Sequence, residues 1–172
     1  HRRGRPGFGH RLRPYLMHDP LRIPGVLDAV RRVWEGQPDL SLPTLFAMLA
    51  NRGIGWGAGD EDLLRELAAM ERLHPGELPL IDARVTARFL LHTDGPAQRV
   101  MVDPWRVVVR RPGATAQPGV WRYATLRAAT VGGPLVVTSA EGIDHRLGVL
   151  TRITLIDDAP TSTVATLDGR RR

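Results

Sequence analysis

The densest group of chemistry-bearing side chains in this 172-residue sequence is Ser139, Glu141, Asp144 and His145. A hydroxyl, two carboxylates and an imidazole are the ingredients of nucleophilic hydrolysis or of a metal site. A Ser-His-Asp set works only if its members converge in space, and neighbours within one turn rarely converge. The simpler expectation is a polar β-turn holding an Asp-supported histidine. The six histidines are scattered, and none has the i, i+4 spacing of a helical metal pair. The chain has no cysteine, which excludes disulfides, thiolate metal sites and cysteine nucleophiles. No nucleophile, base and stabilising group assemble from neighbouring signals. No catalytic residue, metal or cofactor is therefore expected.

A second candidate is the glycine-rich run Gly53-Ile54-Gly55-Trp56-Gly57-Ala58-Gly59 ahead of a helix, the position where phosphate loops occur. It lacks the lysine and the preceding strand of such a loop. The helix it opens begins Asp60-Glu61-Asp62, carboxylates that repel phosphate where amides would attract it. A flexible connection is expected instead, with Trp56 folded back on the helices. Asp60 is expected to cap the helix.

Three helices followed by a hairpin at 84–103 could be a winged helix-turn-helix. The third helix argues against groove reading. Asp60, Glu61, Asp62, Glu66 and Glu71 outnumber Arg65 and Arg72, a net of −3, while phosphate neutralisation dominates DNA affinity. Farther on, Arg106, Arg110, Arg111 and Arg122 lie among Trp105, Trp121 and Tyr123. Arginines interleaved with aromatics on a small barrel can hold single-stranded nucleic acid. The same pattern also describes a strand that buries one face and solvates the other. Trp34, Trp56, Trp105, Arg106, Arg110, Trp121 and Arg122 are the candidate partner contacts.

The string Val102-Asp103-Pro104-Trp105-Arg106-Val107-Val108-Val109 resembles the opening strands of WYL-type regulator domains. The match covers under ten residues. The Trp-Tyr-Leu box of those domains does not follow, because Trp121 is succeeded by Arg122 and Tyr123. No function is carried over.

The elements that must position these residues follow from periodicity. Val26, Leu27, Val30, Val33 and Trp34 form one apolar helical stripe after Pro24. Leu42, Leu45, Phe46 and Leu49, bordered by Met48, form a second behind a Ser41 N-cap, with Gly53 as the C-terminal cap. Leu63, Leu64, Leu67, Met70 and Leu73 form a third, stopped by Pro75 and Gly76. After residue 80 the period changes from 3.6 to 2. Val85, Ala87, Phe89 and Leu91 alternate with Arg84, Thr86, Arg88 and Leu90. Further strands are expected at 99–103, 105–110, 120–126, 135–138 and 146–156, separated by Gly- and Pro-rich turns.

The predicted fold class is α+β: an N-terminal three-helix unit and a small antiparallel β-barrel or bent β-sheet of five to six strands. The predicted divisions are a basic arm at 1–22, a helical unit at 23–78, a barrel-like unit at 80–157 and a tail at 158–172. Met17 is the first methionine, so the stretch ahead of it is a candidate non-native extension. A chain this long buries about 70% of its unfolded surface. A helical piece of about 50 residues is marginal alone, so the helices are expected to share their apolar surface with the strands or a second chain, Trp34 and Trp56 being the anchors.

All 24 basic residues are arginines, against 18 acidic ones, for a net charge of +6. Residues 17–169 carry 16 arginines and all 18 acids, a net of −2, so the excess sits in the tails. No run reaches the ~20 apolar residues of a membrane span. The expectation is a soluble, cytoplasmic, non-catalytic module that binds a protein or itself, with no membrane partner. The alternative is a nucleic-acid-associated protein that uses its arginine tails, and an enzyme with an unrecognised site is the third reading.

Overall fold

The computed structural model describes residues 19–157 apart from positions 114 and 116. Residues 1–18 and 158–172, with the expectations placed on the arginine tails, lie outside the described residues. A 3-10 turn, Pro20–Arg22, leads into three helices: α1 (Ile23–Gly36), α2 (Leu42–Asn51) and α3 (Asp60–Leu73). Six strands follow: β1 (Arg88–Asp94), β2 (Gln98–Val102), β3 (Arg106–Arg110), β4 (Gly119–Leu126), β5 (Pro134–Ser139) and β6 (Asp144–Asp157). They form a closed antiparallel barrel in chain order, with β6 returning to β1. No helix among the described residues is long and apolar enough to cross a membrane.

The helices begin and end where side chains or glycine satisfy their free backbone groups. Ser41 Oγ accepts a hydrogen bond from the Thr44 N–H at 3.3 Å and caps α2. Gly53, with φ +91°, turns the chain out of that helix. The cap of α3 is Gly59 and not Asp60. Asp60 sits in the first turn and receives Arg22 Nε at 2.6 Å, an ion pair that ties α3 to the entry of α1. The three helices enclose Val33, Leu45, Leu49, Leu67 and Met70. Their stripes are only half buried. Leu27 is 62% exposed, and Phe46, Leu64 and Leu73 also face outward, because three short helices cannot cover two flanks each.

In the barrel the alternation holds. Val85, Ala87, Phe89 and Leu91 are all buried, joined by Val100, Val102 and Val107 from β2 and β3 and by Leu135, Val137, Leu150 and Ile153. The 14-residue β6 serves two neighbours and so closes the wall. It bends at Gly148, φ +98°, where a Cβ would stand 2.5 Å from the Asp94 carbonyl oxygen. Only glycine fits that crossing.

The two units have separate apolar cores. Hydrogen bonds to backbone groups cross their junction. His74 Nδ1, just past α3, lies 3.1 Å from the Ile153 carbonyl oxygen and 3.3 Å from Thr154 Oγ1. Val131 N–H donates to Gly76 O, and Leu78 N–H donates to Ala129 O. Trp34 and Trp56 do not anchor the helices to the strands. Trp34 Nε1–H donates to Leu40 O at 2.7 Å within its own unit. Trp56 is 109% exposed, standing in solvent rather than folded on the helices, because the glycines around it offer no side chain to pack against.

Candidate functional site

Ser139 ends β5, Asp144 and His145 open β6, and Glu141 lies in the turn between them. Ser139 Oγ accepts from the Ile143 N–H, and Glu141 is held by Ser139, which keeps its carboxyl below the usual range. Asp144 accepts from Thr138 Oγ1 at 2.7 Å and pairs with Arg127. The His145 ring instead lies against Trp121, centroids 4.6 Å apart. Glu141 faces the Ser139 hydroxyl, but Asp144 is turned to Thr138 and Arg127 and His145 lies on Trp121, so the four do not line up as a Ser-His-Asp relay. Among the described residues no group of three His, Asp or Glu could hold a metal.

A cleft of about 1380 Å³ lies where helices meet barrel, with Leu78, Phe89 and Leu155 among its apolar lining. Its charged lining carries both signs. Arg32 there is shared between Asp28 and Glu71. Such a lining favours no one ligand class.

The outer wall of the barrel has a definite sign. Residues 80–157 contain ten arginines and six acids, whereas residues 19–79 contain six arginines and ten acids. The two units thus carry opposite charge, +4 and −4, which the chain average conceals. Register then concentrates the positive charge. Arg152 on β6 stands opposite His92 on β1. His92 stands opposite Arg99 on β2, and Arg99 opposite Arg110 on β3. Four cationic or protonatable side chains therefore cross four adjacent strands in one row, spanning about 14 Å at the usual strand spacing. A second cationic pair, Arg106 opposite Arg122, joins β3 to β4.

Like charges directly opposite one another destabilise a sheet. Here they are not neutralised. Arg88 and Arg127 have their carboxylates in Asp157 and Asp144, but among the described residues no acid lies within ion-pair distance of Arg99, Arg106, Arg110, Arg122 or Arg152. All five are exposed. His92 is squeezed between two guanidinium groups. Partial burial, then Arg152, then Arg99 hold its imidazole below the usual histidine range. Its Nδ1 is buried without a hydrogen-bond partner.

Of the seven residues singled out from the sequence, the fold brings Arg106 and Arg122 face to face and puts Arg110 in the longer row. Trp105, 46% exposed, stands at the strand entry next to Arg106, its N–H bonded to Asp103 Oδ1 at 2.8 Å. Trp121 packs on the barrel core. Trp34 and Trp56 belong to the helical unit, apart from this wall. His92, Arg99 and Arg152 were missed. Their outward parity on β1, β2 and β6 was readable, but their alignment depends on barrel closure. No family model, curated protein or solved structure matches the chain, so the reading of this surface rests on its own geometry.

Proposed function

We propose that this chain is a non-catalytic, nucleic-acid-associated module that holds a polyanion on the outer wall of its barrel. One observation carries the reading: Arg152, His92, Arg99 and Arg110 are aligned by register on four consecutive strands, and among the described residues no carboxylate lies within ion-pair distance of the three arginines. A phosphate backbone supplies that neutralisation, and release of its counterions drives binding. The acidic helical unit repels the same ligand and so confines it to one side of the molecule.

The test is fluorescence anisotropy with a labelled oligonucleotide across a salt series. Replacing Arg99, Arg110 and Arg152 with Gln should weaken binding and lower the salt slope by about 0.7 per arginine for a single strand. An unchanged slope, with binding lost only on removal of residues 1–16 and 170–172, would assign the affinity to the tails and sink the barrel site.

A second reading, a protein-binding or self-associating module, draws support from α1. Ile23, Leu27 and Trp34 are exposed and lie within about 40° of one another around that helix. A concentration-dependent mass in sedimentation, abolished by Leu27→Asp, would favour it.

A further inference from the structure

The polyanion reading leaves one part of the wall unexplained. Two residues along from the cationic row, each strand presents an aliphatic side chain on the outside, and these too are in register. Leu90 on β1 stands opposite Met101 on β2, Met101 opposite Val108 on β3, and Val108 opposite Val120 on β4. Their strand neighbours Phe89, Leu91, Val100, Val102 and Val107 point into the core, so this row faces out. Val120 is 56% exposed, and Leu90, Met101 and Val108 are partly so. The β6 member of the row is Thr154, opposite Leu90, which His74 occupies. The helical unit thus closes one end of the row, and the β4 end is open.

On the far side of the aliphatic row come Arg106 and Arg122, again two residues along β3 and β4. Along β3 the order is therefore cationic, aliphatic, cationic (Arg110, Val108, Arg106), with about 7 Å between successive positions, while on β2 the position beyond Met101 is Asp103. A ligand that fits all three has an anionic edge and an apolar body. Double-stranded nucleic acid presents phosphates outward and keeps its base faces stacked inside, so a duplex covers the arginines and leaves the aliphatic row wet. Inorganic polyphosphate does the same. A single strand can turn its bases onto the row while its phosphates follow the arginines. A lipid surface would also be anionic and apolar. It is less well matched, because Leu90, Met101 and Val108 are only partly exposed and offer a membrane little apolar surface to insert.

Resting on the polyanion reading, we infer that the ligand is a single-stranded nucleic acid, with its bases laid over Leu90, Met101, Val108 and Val120. Trp105, exposed and next to Arg106 in the chain, is an aromatic side chain on which a base could stack.

The experiment uses the full chain and four probes: a labelled oligothymidylate of about 20 nucleotides, a duplex of equal length, inorganic polyphosphate, and vesicles containing phosphatidylserine. The expected result is binding of the single strand about tenfold tighter than the duplex. The double variant Met101→Gln, Val108→Thr should weaken the single strand by a similar factor and leave polyphosphate binding unchanged. Val120→Thr, at the most exposed position of the row, should weaken it in the same direction with no change in melting temperature. That keeps the inference testable if the double variant unfolds. Equal affinity for single strand, duplex and polyphosphate, untouched by these variants, would overturn the inference and leave the cationic wall standing. Binding to vesicles alone would overturn it in favour of a lipid surface. Failure of all four probes would overturn both this inference and the reading beneath it.

Discussion

Arg99 on β2 and Arg110 on β3 stand directly opposite each other on the outer wall of the barrel, and among the described residues neither has a carboxylate partner. The pair costs stability in the free protein, and that cost makes it informative. Arg110→Glu converts a repulsive cross-strand pair into an attractive one and should raise unfolding free energy by about 0.5–1 kcal/mol in urea titrations. The same change should weaken oligonucleotide binding several-fold. A variant that is both more stable and worse at binding is the expected signature of charge retained for a ligand. Loss of stability would mean that Arg110 holds the sheet by some other contact.

His92 gives the wall a pH dependence. Its ordinary value is 6.5, and burial, Arg152 and Arg99 hold it lower in the folded chain. Unfolding releases that depression, so the unfolded chain binds the proton more readily. Stability should therefore be constant above pH 6.5 and fall as the pH drops below it. A bound phosphate reverses the local field and raises the imidazole value, so oligonucleotide affinity should increase as pH falls from 7.5 to about 5.5. His92→Gln should flatten both trends. The direct check is the imidazole titration curve by NMR with and without oligonucleotide; an unshifted midpoint on binding would show that no anion reaches His92.

Gly36 and His74 fix how the helices meet the barrel. A Cβ on Gly36 would lie 2.1 Å from the His74 carbonyl oxygen, a collision with backbone that cannot swing aside. Gly36→Ala should cost about 2–3 kcal/mol, in the range of overpacked cores. Because the two apolar cores are separate, the loss should appear first as amide exchange at 74–78, while the barrel amides stay protected. Uniform loss of protection would show one cooperative unit.

Asp82 and Ala83 occupy a tight turn between Ile81 and Arg84 with φ of +50° and +58°. A left-handed backbone costs an L-residue about 1–2 kcal/mol, and glycine avoids most of it. The turn is held because Leu126 N–H donates to Ala83 O at 2.8 Å and Arg84 reaches Pro104 O at 2.8 Å. Ala83→Gly should raise the stability by about 0.5–1 kcal/mol after the greater entropy of the unfolded glycine chain is subtracted. A lower melting temperature would show that the Ala83 methyl makes a contact worth more than the strain.

The order of elements was legible in the sequence because it depends on local pattern. A 3.6-residue period up to Leu73, the Pro75-Gly76 stop and a period of two from Val85 onward fixed three helices followed by strands. The inward set Val85, Ala87, Phe89 and Leu91 followed from the same alternation. Flank exposure was not legible. A stripe marks the apolar side of a helix, but how much of it is covered depends on neighbours, and α1 to α3 leave Leu27 and Phe46 uncovered.

The wall is where tertiary structure decided. Alternation says that Arg99, Arg110 and Arg152 face outward, but it does not say which residue stands opposite which. Partners 60 positions apart, such as His92 and Arg152, meet only because β6 returns to close on β1, and a one-residue slip would have sent each side chain to the other face. The overall charge balance has a related limit. Averaged along the chain, the acids of the helices cancel the arginines of the barrel, and a net of −2 placed the basic character in the tails. The two populations are already separate segments of the sequence; what closure of the barrel decided is how the arginines of the second segment line up, because electrostatic potential follows position in space.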